Sequence, residues 1–311
     1  MLIADGSRLT AEQKSKTMKT QLNLLLLLLW FSCSCAQLNY LDQAQNAFNQ
    51  GASLETNLNF GEPALLGQPS AAGSQAMSLA TTDLCYRLAY SQVNKALLKD
   101  SKLKADGVLV NAHSLRALSA WKLGLYTQAT ESALAAKIAL QDSEVPLPRE
   151  AAMMTALEGL IQADQAFMAV QKLKLEHQKP NVSDGLNTMA NIRKQYEADI
   201  VNSNGSGKID KALSILDKAK LEVPGRADIQ TYFIMSQLAA LKTWLDELDQ
   251  VYSLLKTFNL SGNNNDLKRW FDQENDRFTQ KRNLYMGQLA PLLPQQKENV
   301  MYKRWEEWLF N

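Results

Sequence analysis

The sequence predicts an all-α protein, and three observations support that fold class. Apolar residues recur at spacings of three and four, as on one face of a helix, over Ala76 to Lys104, Asn111 to Leu140 and Ala227 to Lys256. Alanine, the strongest helix former, is concentrated in the second of these stretches. Gly124 divides that stretch, which predicts two short helices folded back on each other.

The composition of the 311-residue chain is that of an ordinary folded protein, with 21% charged and 46% apolar residues. Its length allows one large domain or two smaller ones. The 33 basic and 32 acidic residues give a formal net charge of +1. The protein therefore has no long-range field to attract a nucleic acid or an anionic membrane.

The N-terminus has the order of a secretory signal peptide. Lys19 precedes the apolar run Leu22 to Trp30, and small residues follow the run. The run is shorter than the roughly 20 apolar residues of a membrane span, although an uncleaved anchor helix is the alternative. Met18 begins a signal of normal shape, so we interpret residues 1–36 as an upstream extension plus a signal peptide. The mature protein is expected to be exported.

Two processing routes remain open for this segment. Cleavage after Ala36 by ordinary signal peptidase would release a chain that begins at Gln37. Alternatively Cys33 or Cys35 is lipidated, because the segment resembles a bacterial lipoprotein signal, and the lipid would tether the protein to a membrane. Cys85 then remains alone, so a disulfide framework is excluded, and we predict that Cys85 is a buried small apolar residue.

The mature chain is predicted to have three parts. Residues 37–75 hold a short amphipathic helix, Tyr40 to Leu54, and a linker rich in glycine, proline and serine, Gly61 to Gln75. Residues 76–262 form the main helical domain. Residues 263–311 form C-terminal helices whose aromatic side chains are expected to cap the open end of the core.

Apolar and small residues mark both helices of Asn111 to Leu140. The residues predicted to line the first helix are Leu115, Leu118, Trp121 and Leu125. The small residues predicted to bring the two backbones close are Ala117, Ala120 and Gly124 on one side and Ala129, Ala133 and Ala136 on the other. Function is therefore expected on the faces that the alanines do not occupy, and Lys122 and Tyr126 lie near the corner.

This pattern resembles a tetratricopeptide repeat (TPR), a helix pair with a period of about 34 residues. With Val110 at the first position, the repeat-packing residues are Ala117, Gly124, Ala129 and Ala136. The template fits again from Arg193, where they are Gly207 at the turn, Ala212, Ala219 and Pro224. The resemblance implies a right-handed α-solenoid of antiparallel helix pairs. The solenoid is expected to be irregular, because the two registers are not separated by a whole number of repeats.

Three further helices are predicted between and after these matches: Arg149 to Glu176, Leu186 to Val201, and Ala227 to Lys256. The last has a heptad-like seam of Ile234, Leu238, Leu241, Leu245, Leu248, Tyr252 and Leu255. A seam of this kind indicates either a coiled-coil dimer or a helix buried in the solenoid. Trp244 and Val251 occupy positions where a dimer would place charges, so we favour the buried helix.

No constellation of catalytic or ligand-binding residues is apparent. His113 and His177 lie in different helices without a cysteine pair nearby, which argues against a zinc site, and no cofactor motif is present. Helical scaffolds do carry some cell-wall hydrolases with a buried glutamate as general acid. Glu158, which has apolar neighbours in the sequence, is the one candidate for that role, and the alternative is a solvent-facing helix residue.

The sequence therefore predicts a non-enzymatic interaction scaffold of the bacterial cell envelope, periplasmic or associated with the outer membrane. Its TPR-like groove would bind a protein or peptide partner. The alternatives are a cell-wall hydrolase centred on Glu158 and a transport-associated solenoid that binds a small ligand in a deep apolar pocket.

Overall fold

The computed structural model of the chain describes residues 36–54, 73–176, 204–257 and 265–296, together with 191, 194, 195 and 198. These residues form helices and turns, and none of them lies in a strand, so the predicted all-α class is confirmed. We number the helices in chain order. They are α1 (36–54), α2 (Gly73–Leu97), α3 (Asp100–Ala105), α4 (Leu109–Lys122), α5 (Tyr126–Gln141), α6 (Pro148–Glu176), α7 (Gly205–Leu221), α8 (Ala227–Thr257) and α9 (Asn265–Leu289), followed by a short 3₁₀ helix, Leu293–Gln296.

Most helices contact the next one in this numbering, and three pairs of alternate helices are in contact as well. Between α6 and α7 the chain also has the helical residues 191, 194, 195 and 198. Direct contacts join α4 to α5, α5 to α6, α6 to α7, α7 to α8 and α8 to α9. Further contacts join α2 to α4, α4 to α6 and α6 to α8. Helix α6 is therefore central, because it touches α4, α5, α7 and α8.

The apolar core has two clusters that meet at α4. The larger cluster extends from α4 to α9 and includes the fully buried rings of Phe167, Phe233 and Phe278. The smaller cluster joins α1, α2, α3 and α4 through Ala44, Val93, Ala96, Leu103, Ala112 and Leu115. Helix α4 supplies residues to both clusters, so it connects the N-terminal helices to the rest of the protein.

Helix α1 contains the predicted helix Tyr40 to Leu54 and packs on α2. Ala44 is fully buried, and the ring of Phe48 lies 5.4 Å from that of Tyr86. Residues 1–35, with the predicted signal segment, lie outside the described residues, as do residues 55–72, which include most of the predicted linker Gly61 to Gln75. Residues 73–75, predicted as the end of the linker, instead belong to α2.

The predicted continuous helix from Ala76 to Lys104 is wrong in one respect, because a break at Leu98 and Lys99 separates α2 from α3. The backbone of Lys99 has φ −131° and ψ 61°, outside the helical region. The break turns the chain so that Leu103 is fully buried in the smaller cluster, whereas Leu98 is 81% exposed. The periodic pattern did not reveal it, since apolar residues lie on both sides of the break.

The turn between α4 and α5 is organised by Gly124, as predicted. Its φ is +69°, a left-handed conformation that glycine adopts without strain. The N–H of Gly124 donates to the carbonyl oxygen of Trp121, and the N–H of Leu125 donates to that of Ala120, both at 2.9 Å. This is a Schellman cap. Leu125 was predicted to line the first helix, but it lies in this turn and is partly exposed.

Helices α6 and α7 approach closely at Gly159. A Cβ atom at this position would lie 2.9 Å from the carbonyl oxygen of Ala212, so only glycine fits without a shift. The predicted helix Leu186 to Val201 falls mostly outside the described residues. Residues 191, 194, 195 and 198, which are described, are helical and exposed.

The heptad-like seam of α8 lies inside the protein. Its buried members are Ile234, Leu238, Leu241, Leu245 and Leu248, all at most 9% exposed. Trp244 and Val251 are buried as well, and Tyr252 packs against the same cluster. The side chain of Leu255 is outside the described residues. The apolar surface of α8 is therefore occupied by neighbouring helices of the same chain, as in the buried-helix interpretation.

Helix α9 covers one side of α8 with aromatic side chains. Phe271, Phe278 and Tyr285 are each at most 5% exposed. Phe278 meets Trp244 edge to face, with ring centroids 6.3 Å apart. The predicted last helix, with Tyr302, Trp305 and Trp308, lies outside the described residues.

Candidate partner-binding surface

The structure contradicts the premise on which Glu158 was nominated as a buried acid. Its side chain is 53% exposed and lies 4.0 Å from the ammonium nitrogen of Lys137 on α5. Its neighbours in the sequence, Leu157 and Gly159, are buried. A helix turns about 100° per residue, so adjacent positions face different directions. Glu158 is the solvent-facing helix residue of the alternative interpretation.

The histidine that the structure describes, His113, is half-buried in α4. Burial, followed by the positive charge of Arg116, lowers the pKa of His113. Within the described ranges, histidine, cysteine and carboxylate side chains do not gather into groups able to hold a metal ion. His177 lies outside these ranges. Cys85 is a free thiol and is buried, as predicted.

The alanines assigned to repeat packing are all buried. Ala117, Ala129, Ala136, Ala212 and Ala219 have no exposed surface. Pro224 is exposed in the turn between α7 and α8. The buried alanines mark the inner faces of α5 and α7, and the opposite sides of these two helices face solvent.

Gly207 was predicted at a turn, but it lies inside the first turn of α7. The turn lies three residues earlier, at Asn204, whose φ is +49°. At Gly205 a Cβ atom would run into the ring of Trp244, so this position needs glycine for close packing. The sequence template therefore placed the turn three residues late.

A buried carboxylate organises the corner between α4 and α5. Asp164 of α6 is 2% exposed and accepts a hydrogen bond of 2.7 Å from the indole Nε1 of Trp121. Burial, followed by the charge of Asp164 and a hydrogen bond to it, raises the pKa of Tyr126 far above its ordinary value. Asp164 was not predicted from the sequence. Helix α6 carries other acids, Glu150 and Glu158 among them, and spacing alone does not show which of them faces the core.

Two of the residues named at the corner are occupied by internal contacts. The ammonium group of Lys122 lies 4.5 Å from the ring centroid of Trp121 and 5.8 Å from that of Tyr86. Trp121 itself is buried. Tyr126 remains partly accessible, and its hydroxyl lies 3.4 Å from the sulfur of Met168, which is half-exposed.

Helix α5 carries an apolar stripe on its outer side. Leu134 and Ile138 are one turn apart, so they lie on the same side of the helix. Leu134 is 59% exposed and Ile138 is 54% exposed. We call Leu134 and Ile138 the α5 stripe. Exposed apolar residues are common on protein surfaces, and Leu84 and Leu88 of α2 form a similar pair. The α5 stripe differs from that pair because it continues along the helix to Asp142 at the end of α5.

A groove opens where α5 ends. Its cavity has a volume of about 550 Å³ and lies between the end of α3, the start of α4 and the loop that follows α5. The charged residues in its lining are Lys104, Asp142 and Glu144. The apolar part of the lining is Leu109, Val110, Ala139, Val145 and Leu147, with Ala105. Lys104 and Asp142 form an ion pair of 2.8 Å across it.

A second polar cluster, between α7 and α9, holds these helices together. Asp210 pairs with Arg277 and Lys281. Two turns further along α7, Asp217 accepts hydrogen bonds from Tyr285 at 2.8 Å and from Gln237 at 2.9 Å. Each of these groups has its partner on another helix of the same chain, so we assign the cluster to packing.

The fold and this surface define a class: an all-α protein with an exposed apolar stripe on one helix, bordered by a groove of mixed polarity. Comparison of the chain with family models, with curated proteins and with solved structures finds no match. Among the helices that the structure describes, none combines the length and the apolar character that crossing a membrane requires.

Proposed function

We propose that this protein is a non-enzymatic interaction scaffold of the bacterial cell envelope that binds a protein or peptide partner along the α5 stripe. The position of Leu134 and Ile138 carries this proposal, because these two exposed side chains lie on the side of α5 that leads to the groove at Asp142. Leu84 and Leu88 of α2 are as exposed, but they are not part of the groove lining, so exposure alone does not single out α5.

A TPR-like solenoid of antiparallel helix pairs is the arrangement we propose for the scaffold. It is supported by the contacts of α4 with α5, α5 with α6, α7 with α8 and α8 with α9, together with those between α2 and α4 and between α4 and α6. In a solenoid each unit contacts mainly its neighbours in the chain, and this contact pattern agrees with that rule. The aromatic residues of α9 suit a capping role at its C-terminal end.

Export is proposed from the signal-like segment at residues 1–36. Either the chain is released at Gln37, or it is held by a lipid on Cys33 or Cys35. The intact mass of the protein purified from its native envelope fraction separates these routes, because lipidation adds acyl chains to an N-terminal cysteine. Recovery of an unprocessed chain from the cytosol would refute export.

The two alternative functions differ in their support. The hydrolase proposal required a buried Glu158, but the side chain of Glu158 is exposed. A Glu158→Gln variant with undiminished wall-degrading activity would refute this proposal. The small-ligand proposal has a concrete location in the groove beside Asp142, although charged and apolar groups share its lining. A peptide partner accounts for both the groove and the α5 stripe, and is therefore preferred.

The proposed function is tested by cross-linked capture from envelope extract with the mature protein and two matched double variants. Leu134→Lys with Ile138→Lys charges the α5 stripe. Leu84→Lys with Leu88→Lys is the control, because these leucines of α2 are also one turn apart and are 63% and 50% exposed. We expect a discrete partner with the wild type and the control, and its loss with the stripe variant.

Equal helical circular dichroism for the three proteins would show that the substitutions spare the fold. Capture that survives the stripe variant, or that is lost equally in the control, would contradict a binding role for α5.

A further inference from the structure

The groove at the end of α5 lies where the carboxyl ends of two helices meet. Lys104 belongs to the last turn of α3, and Asp142 caps the end of α5. Their 2.8 Å ion pair brings the two ends together. The carboxyl end of a helix carries partial negative charge, which a cation in the last turn normally balances.

Helix α5 lacks that balance within itself. Its last turn has no basic residue, and the residues that follow include Asp142 and Glu144. Lys104, supplied by α3, is the cation that the groove contains. Because Lys104 already pairs with Asp142, the lining has one more carboxylate than it has cations, and Glu144 is exposed to solvent.

The opposite wall of the groove offers hydrogen-bond donors. Leu109, Val110 and Asn111 form the first turn of α4 and line the groove. The first intrahelical hydrogen bond of α4 runs from the N–H of Ala112 to the oxygen of Val108, at 3.0 Å. The N–H groups before it have no carbonyl acceptor within the helix, and the N-cap residue, Val108, makes no side-chain cap hydrogen bond. They suit the carbonyl oxygens of a peptide backbone.

The α5 stripe leads into this groove. Leu134, Ile138 and Asp142 follow one another at spacings of four, so they lie along the same side of the chain. A chain laid along α5 would meet two apolar side chains and then the carboxylates. Beyond them, Val145 and Leu147 supply apolar surface for an aliphatic stem.

We propose that the groove binds a lysine or arginine side chain of an extended peptide segment, whose apolar residues lie on the α5 stripe. This inference rests on the proposed peptide-binding function and names the chemistry of the partner. The incoming cation takes the place that Lys104 holds on Asp142 in the free protein, while Glu144 provides a second carboxylate.

Lys104 acts here as an internal competitor. The ammonium group and Asp142 are both largely exposed, at 59% and 56%, so their pairing is weak and exchangeable. Removing Lys104 therefore frees the site rather than damaging it. If the Lys104–Asp142 ion pair served only the structure, removing Lys104 would not strengthen peptide binding. The proposal therefore predicts a gain in affinity that a structural role does not.

The test is calorimetric titration of the mature protein at low salt with blocked pentapeptides. The probe has a central lysine between leucines, and the comparison peptides have norleucine or glutamate at the centre. Lysine amide alone serves as the small-molecule arm. We expect the lysine peptide to bind most tightly, with Asp142→Asn and Glu144→Gln each weakening it up to about fivefold, as for exposed ion pairs.

Lys104→Gln is expected to strengthen the binding of the lysine peptide by a similar factor of up to about five. The matched controls are Lys268→Gln and Asp272→Asn, since this pair on α9 is equally exposed, at 61% and 57%. Both controls should leave the affinity unchanged.

Several results would overturn the proposal. They are equal binding of the glutamate peptide, no binding of the lysine peptide to either the wild type or Lys104→Gln, and weaker binding after Lys104→Gln. If lysine amide binds as tightly as the peptide, the ligand would be a small molecule and the peptide proposal would be wrong.

Failure here is distinguishable from failure of the proposed function. Partner capture that depends on Leu134 and Ile138 but not on Asp142 would keep the scaffold and refute the basic residue. If peptide binding depends on Asp142 but partner capture does not depend on Leu134 and Ile138, the basic-residue site would stand and the binding role of the α5 stripe would be refuted.

Discussion

The indole Nε1 of Trp121 donates a hydrogen bond of 2.7 Å to the carboxylate of Asp164, two residues that are far apart in the sequence and fully enclosed. The bond joins α4 to α6. A buried carboxylate is costly unless it is hydrogen-bonded, so this contact fixes how the two helices are rotated against each other.

Trp121→Phe is expected to reduce the free energy of unfolding more than Trp244→Phe does, by about 1–3 kcal/mol, which is the cost of removing one hydrogen bond from a buried charged group. Trp244 is the matched control, because it is even more buried, 2% against 7%, yet its Nε1 has no hydrogen-bond partner among the described residues. Urea denaturation followed by far-ultraviolet circular dichroism measures both. Equal losses would mean that ring packing, and not the hydrogen bond, determines the effect.

Acid is expected to weaken the junction of α7 and α9 through Asp217. Burial alone would raise the pKa of Asp217, but hydrogen bonds from Lys220, Gln237 and Tyr285 outweigh it and lower the pKa below 3.8. Because the pKa of Asp217 is lower in the folded protein than in the unfolded chain, its carboxylate stabilises the fold at pH values above the unfolded pKa. This contribution is lost as the pH falls through the folded-state pKa.

Asp217→Asn should therefore cost about 1 kcal/mol or less at pH 7, since the carboxylate is 45% exposed. It should also flatten the stability profile in acid. Denaturation midpoints between pH 7 and pH 2 measure both effects, with Asp272→Asn as the surface control. An unchanged acid slope would contradict a role for Asp217.

Gly159→Ala is expected to destabilise the protein by about 1–3 kcal/mol, because the added methyl group meets the backbone carbonyl of Ala212, which cannot move aside like a side chain. Gly287→Ala is the matched control on α9, since no atom lies within 4 Å of a Cβ placed there. That change should stabilise by up to about 1 kcal/mol, the usual gain of alanine over glycine in a helix. Thermal denaturation measures the change in stability of both variants. A Gly159→Ala variant as stable as the wild type would show that α6 and α7 are not this close.

Leu241→Ala, in the seam of α8, is expected to cost about 2–5 kcal/mol without any change in oligomeric state, because Leu241 is fully buried within the chain. Leu284→Ala, 59% exposed on α9, should be nearly neutral. Sedimentation velocity with denaturation distinguishes the two interpretations of the seam. A shift of a dimer toward monomer after Leu241→Ala would indicate a coiled-coil interface.

Residues that act locally were predicted well from the sequence. Gly124 makes the turn between α4 and α5, and the starts of α6 and α8 fall within a residue of the predicted ones. Helical periodicity and glycine caps are properties of neighbouring residues, so they are legible without a structure. The break at Leu98 was not legible, because no glycine or proline marks it.

The candidate site depended on contacts that no local pattern contains. Glu158 has apolar neighbours in the sequence but faces solvent, whereas Asp164, six residues later, is enclosed. Which side of α6 turns inward is decided by the helices packed on it. The groove needs Lys104, Asn111 and Asp142 together, and these belong to three different helix ends.

The sequence by itself determined that the chain is all-α, where several of its helices begin, and which alanines form their buried faces. Those properties follow from spacing along the chain and from the local preferences of the backbone. Only the tertiary structure decided that Asp164 is enclosed, that the seam of α8 is covered, and that Leu134 and Ile138 remain exposed beside the groove. Burial is the result of several helices packing at once, and that depends on residues distant in the sequence.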